Sequence, residues 1–531
     1  AARATDITNW NYRFVDFGPR LIDTKFDDFA LTTGFKGDIT ERIGYDVSYL
    51  WNRNEQLEIE RAGVNRARLQ EVLQGRNATY SGARSFNPFT NPFDSGKISQ
   101  DPDMLNYIKL EPRTTREYTT AVMNFTLNAK PFDLPAGAVE VVGGWEKRIE
   151  DFVRTPDLAK QQAAGSGWNS TTAETTKYDV KSLFAEGVVP LVADAPFTKK
   201  LQIGGAIRNE TFSHLKKKAT VGRVYIRDQF TSELTGRLSY SEGYTAPTVL
   251  NLTEKPAQNF PQIFMPWLGV AEQPSEGTLE GGNPNLKPTR SESYNVGLVW
   301  SPKGLKGFSA SVDFYKVKRS DIIVRDAQLY VDVFNKAGGL TRLANGNYSK
   351  NASAPFADRI DVDLDGRVTG TKGSLIQISP VPYENIASLD AKGVDLELTY
   401  QLPTREIGDF SWRLNVTRVQ NFSMIKIAGL TPTDYEGVFT PNDSIGPVTV
   451  PQWRGNFDTM WDWKNYSALV KLNYTHHYAE DPDGGDKFTA TVGSWPTWDF
   501  TVGYKFQSWG NTTIRAGLEN AFNRMPPKAE S

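Results

Sequence analysis

Residues 394–402 read Val-Asp-Leu-Glu-Leu-Thr-Tyr-Gln-Leu, and residues 410–417 read Phe-Ser-Trp-Arg-Leu-Asn-Val-Thr. In a strand, successive side chains point to opposite faces, so Val394, Leu396, Leu398, Tyr400 and Leu402 share one face while Asp395, Glu397, Thr399 and Gln401 share the other. The second stretch sets Phe410, Trp412, Leu414 and Val416 against Ser411, Arg413, Asn415 and Thr417 in the same way. Tyr466, Ala468, Val470, Leu472 and Tyr474 alternate with a mostly polar set. Trp498, Phe500, Val502, Tyr504 and Phe506 alternate with Asp499, Thr501, Gly503 and Lys505. These are amphipathic strands, and counting such segments from Lys25 to Thr512 predicts roughly 16 of them.

Working outward, the connections alternate in length. Short turns are expected at residues 37–42, 128–136, 189–200, 301–307, 402–409, 462–466 and 507–511. Long connections are expected at residues 53–114, 150–176, 242–290, 318–392, 421–451 and 476–494. Structureless loops beyond about 12 to 15 residues are uncommon in compact soluble domains. Short turns at one end and long loops at the other are the pattern of an outer-membrane barrel whose long loops face outside the cell. A soluble sandwich or propeller would use the same alternation with its apolar face inward; the systematic short and long connections, the charges repeated on the polar face and hairpins without a blade-like repeat weigh against it. The segment 63–75, with Val64, Leu69, Val72 and Leu73 at helical spacing, predicts a short loop helix.

Composition agrees. The chain has 531 residues, with 60 Lys plus Arg against 62 Asp plus Glu and a net charge of -2, so no basic field favours nucleic acid. The absence of cysteine removes disulfides, thiol nucleophiles and thiolate metal sites. A mean hydropathy of -0.47 and the lack of a run of 18 apolar residues exclude a helical span. Barrel strands need only about 9 to 11 residues, half of them polar. The 13 Trp and 21 Tyr fit aromatic girdles at the two membrane interfaces.

Several segments resemble the β-barrel half of the TonB-dependent receptors. Tyr240, Ser241, Glu242, Gly243, Tyr244, Thr245, Ala246 and Pro247 are similar to the family's strand ending in an aromatic, a spacer and Ala-Pro. Gly282, Asn283, Pro284, Asn285, Leu286, Lys287 and Pro288 are close to its Gly-Asn-Pro-x-Leu-x-Pro, although Thr289 stands where the family usually has Glu. The strand at residues 307–316, followed by Asp321, Ile322 and Ile323, also resembles the family. So do Glu519, Asn520, Ala521, Phe522, Asn523, Arg524, Met525, Pro526 and Pro527, which are similar to the Asn-Leu-Phe-Asn-Lys-x-Pro that precedes one last strand.

The resemblance implies an all-β, transmembrane antiparallel barrel of about 22 strands in the full protein. Residues 1–531 would then form an incomplete barrel domain, with a signal peptide, an energy-coupling box, a plug and first strands before Ala1 and a last strand after Ser531. It further implies a receptor in the bacterial outer membrane that binds a scarce solute outside the cell and imports it into the periplasm. Its partners would be outer-membrane lipid, a TonB-type energy-coupling protein and a small-molecule or oligosaccharide solute such as a siderophore. A passive porin or a surface-binding barrel is the alternative.

No catalytic arrangement is legible. The three histidines, His214, His476 and His477, have no metal-ligand spacing, and Gly-x-Ser-x-Gly, His-Glu-x-x-His and phosphate-loop motifs are absent. The chain is read as a non-enzyme that requires no cofactor. Two loop features are candidates for recognition. Phe260, Phe264 and Trp267 place aromatic side chains on an outside loop, to contact ligand or to pack against neighbouring loops. Asp361, Asp363 and Asp365 precede a turn glycine, as in the first half of a calcium loop, but Lys372 holds the twelfth position, where a bidentate Glu belongs. The competing reading is a solvated Asp-Gly turn.

Overall fold

The computed structural model describes residues 14–74, 86, 100–166, 170–215, 218–440, 448–480, 490–507, 510 and 512–529. Its main sheet has 17 strands, one of them the two-residue Thr433–Asp434, which pairs beside a longer neighbour. The other 16 are β1 (Ile22–Thr40), β2 (Ile43–Glu60), β3 (Arg113–Ala129), β4 (Glu140–Pro156), β5 (Glu174–Ala195), β6 (Thr198–Phe212), β7 (Ala219–Gln229) and β8 (Leu234–Thr245). They continue as β9 (Thr289–Trp300), β10 (Phe308–Val324), β11 (Glu384–Leu402), β12 (Asp409–Ile425), β13 (Trp453–Trp463), β14 (Tyr466–Thr475), β15 (Trp495–Phe506) and β16 (Thr512–Leu518). Each pairs antiparallel with its neighbours in sequence, so the sheet is an unbroken meander, the barrel sheet the alternation predicts.

The register sorts the two faces. Leu398, Leu414, Phe457, Leu472 and Trp498 lie opposite one another across five strands, and Leu396 pairs with Val416 in the row above. None of Leu396, Leu398, Trp412, Leu414, Val470, Leu472, Phe500 or Val502 is buried. Leu183, Ile207, Phe314 and Val502, on strands spread around the sheet, are 54 to 63% exposed. In water such a band would drive aggregation; a lipid tail is its natural solvent.

The opposite face carries the charges. Lys471 sits between Asp458 and Asp499 in register, Arg413 lies 3.9 Å from Glu397, and Arg208 bonds Glu146 at 2.9 Å and Glu210 at 2.6 Å. Arg237, Gly297 and Asp313 are register partners, and the guanidinium reaches over the glycine to grip both carboxylate oxygens of Asp313. A side chain at Gly297 would occupy the carboxylate's place, with its Cβ 2.0 Å from Oδ1.

An aromatic belt closes the turn end of the apolar band. Trp300 and Phe308, then Tyr400, Trp412 and Phe410, then Trp461, Trp463, Tyr466, Tyr504 and Phe506 run from strand to strand with centroids 4.7 to 6.5 Å apart. Amphipathic rings at headgroup level are what an interface selects.

Two differences from the sequence reading concern boundaries. The strands run well beyond the residues needed to cross a membrane, up to 22 in β5. Thus β2 continues to Glu60 and β3 begins at Arg113, where a loop from residue 53 to 114 was expected. These extensions are mostly charged and polar, held by pairs such as Arg53–Glu117 and Arg116–Glu58, and Leu57 and Ile59 give only a short alternation to read. The second difference is the short turn at residues 230–233 joining β7 and β8, which is not among the turns expected from the sequence. The loop helix expected within residues 63–75 is present as Arg66–Leu73, with Asn65 as its cap.

Candidate functional site

Two long connections on the long-loop end, residues 246–288 and 325–383, fold together. The first begins with helix Val249–Thr253, whose capping box is formed by Thr248 and Asn251 directly after the Ala-Pro of the strand end. Its strands Ala257–Asn259 and Thr278–Gly281 pair with each other, and the latter runs parallel to Leu375–Pro382 of the second connection, which also pairs with Ile360–Val362. One four-stranded sheet therefore ties both loops together.

The Gly-Asn-Pro-Asn-Leu-Lys-Pro segment is the clamp at the base of this assembly. Asn283 donates from Nδ2 to the Tyr383 carbonyl at 2.8 Å, while its Oδ1 accepts the Asn285 amide. Asn385 of β11 takes the Lys287 amide on Oδ1 and donates to the Lys287 carbonyl, so its side chain mimics a strand partner. Thr289, where Glu was expected, is buried and donates its hydroxyl to the Asp321 carbonyl.

Helix Ala327–Lys336 supplies the loop core. Asp326 caps it by accepting the Gln328 amide, and Gly338, at a φ of +70 that L side chains rarely adopt, ends it. Leu329, Tyr330, Val331, Val333 and Phe334 are buried against Ile263, Met265, Ile360, Val362, Leu375, Ile378 and Val381. Around this core, Arg359 pairs with Glu384 and lies over the Tyr330 ring, whose hydroxyl donates to Glu384 at 2.5 Å. Burial, and then that bond, raise the Tyr330 hydroxyl pKa. Arg325 pairs with Glu254 and Glu280 and stacks on Tyr383. Sequence reading did not single out these arginines, because lone charges in a loop carry no spacing signal.

The three aromatic candidates separate. In the hairpin of Ile263–Met265 with Val270–Glu272, strand alternation sends Ile263 and Met265 into the core and Phe264 outward. Phe264 and Phe260 are exposed at 44% and 38%. Gln328 fixes the Phe264 backbone by accepting its amide at 2.7 Å and donating to its carbonyl at 2.9 Å. Trp267 instead turns inward, packing edge-on against Phe334 and donating its indole N–H to the Gly373 carbonyl, so its place is structural.

The acidic run does not fit calcium. Asp361 is exposed on its strand, and Asp365 accepts the Arg367 amide and pairs with the Arg367 guanidinium at 3.0 Å. Asp363 is buried and takes five donors: the amides of Gly366, Arg367, Val368 and Thr369 and the Thr369 hydroxyl. Those donors occupy the lone pairs a cation would need and present positive charge in its place. Among the described residues no group of three acidic or histidine side chains could hold a metal ion. Mutual repulsion, the argument for a cation, is relieved by amides and an arginine.

Burial works against the Asp363 charge; the bonds from Thr369, Val368 and Gly366 outweigh it and hold the carboxyl below its ordinary range. A depressed folded pKa gives stability that is present above the ordinary carboxylate value and lost as pH falls through the folded one. Asp363→Ala is expected to cost the local fold about 1 to 3 kcal/mol, since it removes the charged acceptor of five hydrogen bonds. Hydrogen exchange at residues 366–369 checks this, and slower wild-type exchange on adding calcium would contradict the reading.

Similarity to known proteins agrees with the architecture. The family described as TonB dependent receptor-like, beta-barrel, matches residues 2–521. The chain belongs to the TonB-dependent receptor β-barrel family. No curated protein sequence matches this family member. The crystal structure of the siderophore receptor PirA from Acinetobacter baumannii is similar with a TM-score of 0.55 at 15% identity, over 95% of this chain and 59% of that one. The RagAB peptide transporter is similar at 0.52 and 13% identity, over 96% and 59%, and the copper transporter OprC at 0.50 and 11%, over 95% and 61%. Such identities speak for the fold alone, and the chain spans less than two thirds of each of these structures. The matched family and these neighbours are receptors and transporters.

Proposed function

We propose that this chain is the barrel of a bacterial outer-membrane receptor that captures a scarce solute outside the cell and imports it, energised by a TonB-type coupling protein. The observation that carries the reading is the loop assembly. Two connections spend a buried core of their own on holding Phe260 and Phe264 outward at the long-loop end. A passive pore has no need of a rigid recognition surface, whereas solute capture benefits from aromatic side chains whose ordering cost is met in advance. The charged inner face then lines the route of release. Family membership supports energised import, and the neighbours named for siderophores, peptides and copper give a range of solute classes. The reading requires no catalytic group or cofactor, places lipid around the apolar band, and gives nucleic acid no role.

The test uses the full-length protein purified from its own membrane. Mass spectrometry of a denatured extract is expected to identify one co-purified small molecule, depleted at least about tenfold in a Phe260→Ala, Phe264→Ala double variant, as loss of two aromatic anchors implies. The same molecule, isotopically labelled, should enter cells carrying the receptor and stop entering when a protonophore collapses the proton gradient. Entry that continues would favour the porin reading.

A further inference from the structure

On the lipid-facing side, near the long-loop end, one position in the apolar band is missing a side chain. Gly455 of β13 lies between Val416 of β12 and Tyr474 of β14. One row toward the loops stands Trp453, beside Arg418 in register; one row toward the turns stand Leu414, Phe457 and Leu472. The result is an almost wholly apolar notch of about 320 Å³, walled by Val416, Trp453, Phe457, Leu472 and Tyr474.

The rim of the notch is cationic. Arg418 shares the face of Leu414 and Val416, is exposed, and lies over the Trp453 ring with its guanidinium 5.0 Å from the centroid. No carboxylate among the described residues lies within ion-pair distance of it. An arginine on the lipid face costs about 2 to 4 kcal/mol at the midplane but about 0 to 1 near an interface, so its level is that of the headgroups. Tyr474 and His476, joined by a 2.9 Å hydrogen bond, form the polar edge beside it. At the turn end Lys464 covers Trp463 at 4.4 Å, a cation on an aromatic at the other interface.

We propose that the notch over Gly455 holds one acyl chain of a phosphate-bearing lipid of the outer leaflet, with Arg418 meeting its phosphate. The apolar walls face a region whose solvent is acyl chain, and a guanidinium without an acidic partner is complementary to a phosphate through charge-assisted hydrogen bonds. Depth and charge coincide at one place: the chain enters between Val416 and Tyr474 while the headgroup stays at the level of Trp453.

Trp453 is the reporter. The full-length protein is reconstituted in phosphatidylcholine vesicles holding an equal fraction of either dibromoacyl-phosphatidylglycerol or dibromoacyl-phosphatidylcholine, and Trp453 quenching is read as the difference between wild type and W453F. The brominated phosphatidylglycerol is expected to quench about fivefold more effectively, the gain of one arginine near an anionic lipid surface. R418Q should equalise the two lipids, and V416F, or L472F if that variant fails to insert, should weaken quenching by both. K464Q should leave all values as they are. Equal quenching in the wild type, a preference surviving R418Q, an undiminished signal in the narrowed notch, or an equal effect of K464Q would overturn the proposal. So would shielding of Trp453 that grows with protein density, which would place a second copy of the chain there.

Discussion

Phe334→Ala is expected to loosen the loop assembly by about 3 to 5 kcal/mol, the cost of removing a fully buried phenyl ring, while leaving the barrel folded. Phe334 is wholly inaccessible, touches Trp267 edge-on, and lies so close above Gly339 that a Cβ there would come within 2.4 Å of the ring. Its neighbours hang from two different connections, so they cannot collapse far into the cavity, which places the cost toward the upper part of that range. The barrel strands draw their stability chiefly from ladders to adjacent strands, and only the loop ends of β10 and β11, at Val324 and Ala387, enter this core. Local opening should therefore rise by more than about a hundredfold, since each 1.4 kcal/mol is a factor of ten. Trypsin should then cut faster after Lys336, Arg342, Lys350 and Arg359, with the barrel's heat-resistant migration on gels unchanged. Cleavage at the wild-type rate would show that the loops are held by something other than this core. If solute binding falls in the same variant, Phe260 and Phe264 act because the core positions them.

What the sequence made legible follows the physics of each region. Around the membrane every second side chain meets lipid, so Leu396, Leu414 and Val470 advertise their face by period alone. Outside the membrane both faces of a strand meet water or other loops, and period-two contrast disappears; the strand extensions around Glu58 and Arg116 were therefore read as loop. The turn at residues 230–233 was missed for a different reason: it carries no Gly, Pro, Asn or Asp, and the Thr231 hydroxyl makes it by accepting the Glu233 and Leu234 amides. The loop core was foreseen as a need but not as a residue set. Parallel pairing of Thr278–Gly281 with Leu375–Pro382 joins segments about a hundred residues apart, and no local pattern reports a contact at that distance. The acidic run shows the opposite error: Asp361, Asp363 and Asp365 do have calcium-loop spacing, but spacing does not say whether a carboxylate is aimed at a cation or capped by amides. Asp363 is capped. For Phe264 and Trp267, only the hairpin's alternation and the Gln328 clamp decided which ring faces out.

Val470→Arg should destabilise the barrel by about 2 to 4 kcal/mol, whereas Leu469→Arg, one residue earlier and equally apolar at the start, should change it by no more than about 1 kcal/mol. Val470 is midway along β14, between Tyr466 of the turn-end belt and Tyr474 near the other interface. The eight residue-to-residue steps from Tyr466 to Tyr474 span about 27 Å of strand, which a tilt of about 40 degrees projects to roughly 20 Å, so position 470 is near the centre of the apolar layer. Val470 pairs with Phe500 and Thr459 on the lipid face; a guanidinium there has neither water nor a carboxylate and must bend several ångströms to reach either interface. Leu469 belongs to the face of Ser467 and Lys471, opposite Met460 and Thr501, where an arginine finds Asp458 and Asp499 in the next row of the same face. Hydropathy treats the two positions alike, so the contrast depends only on which way each side chain points. Urea unfolding of each variant in phosphatidylcholine vesicles measures it. Equal losses at both positions would show that neither face meets lipid, and a larger loss at Leu469 would mean the strand is in the register one residue away.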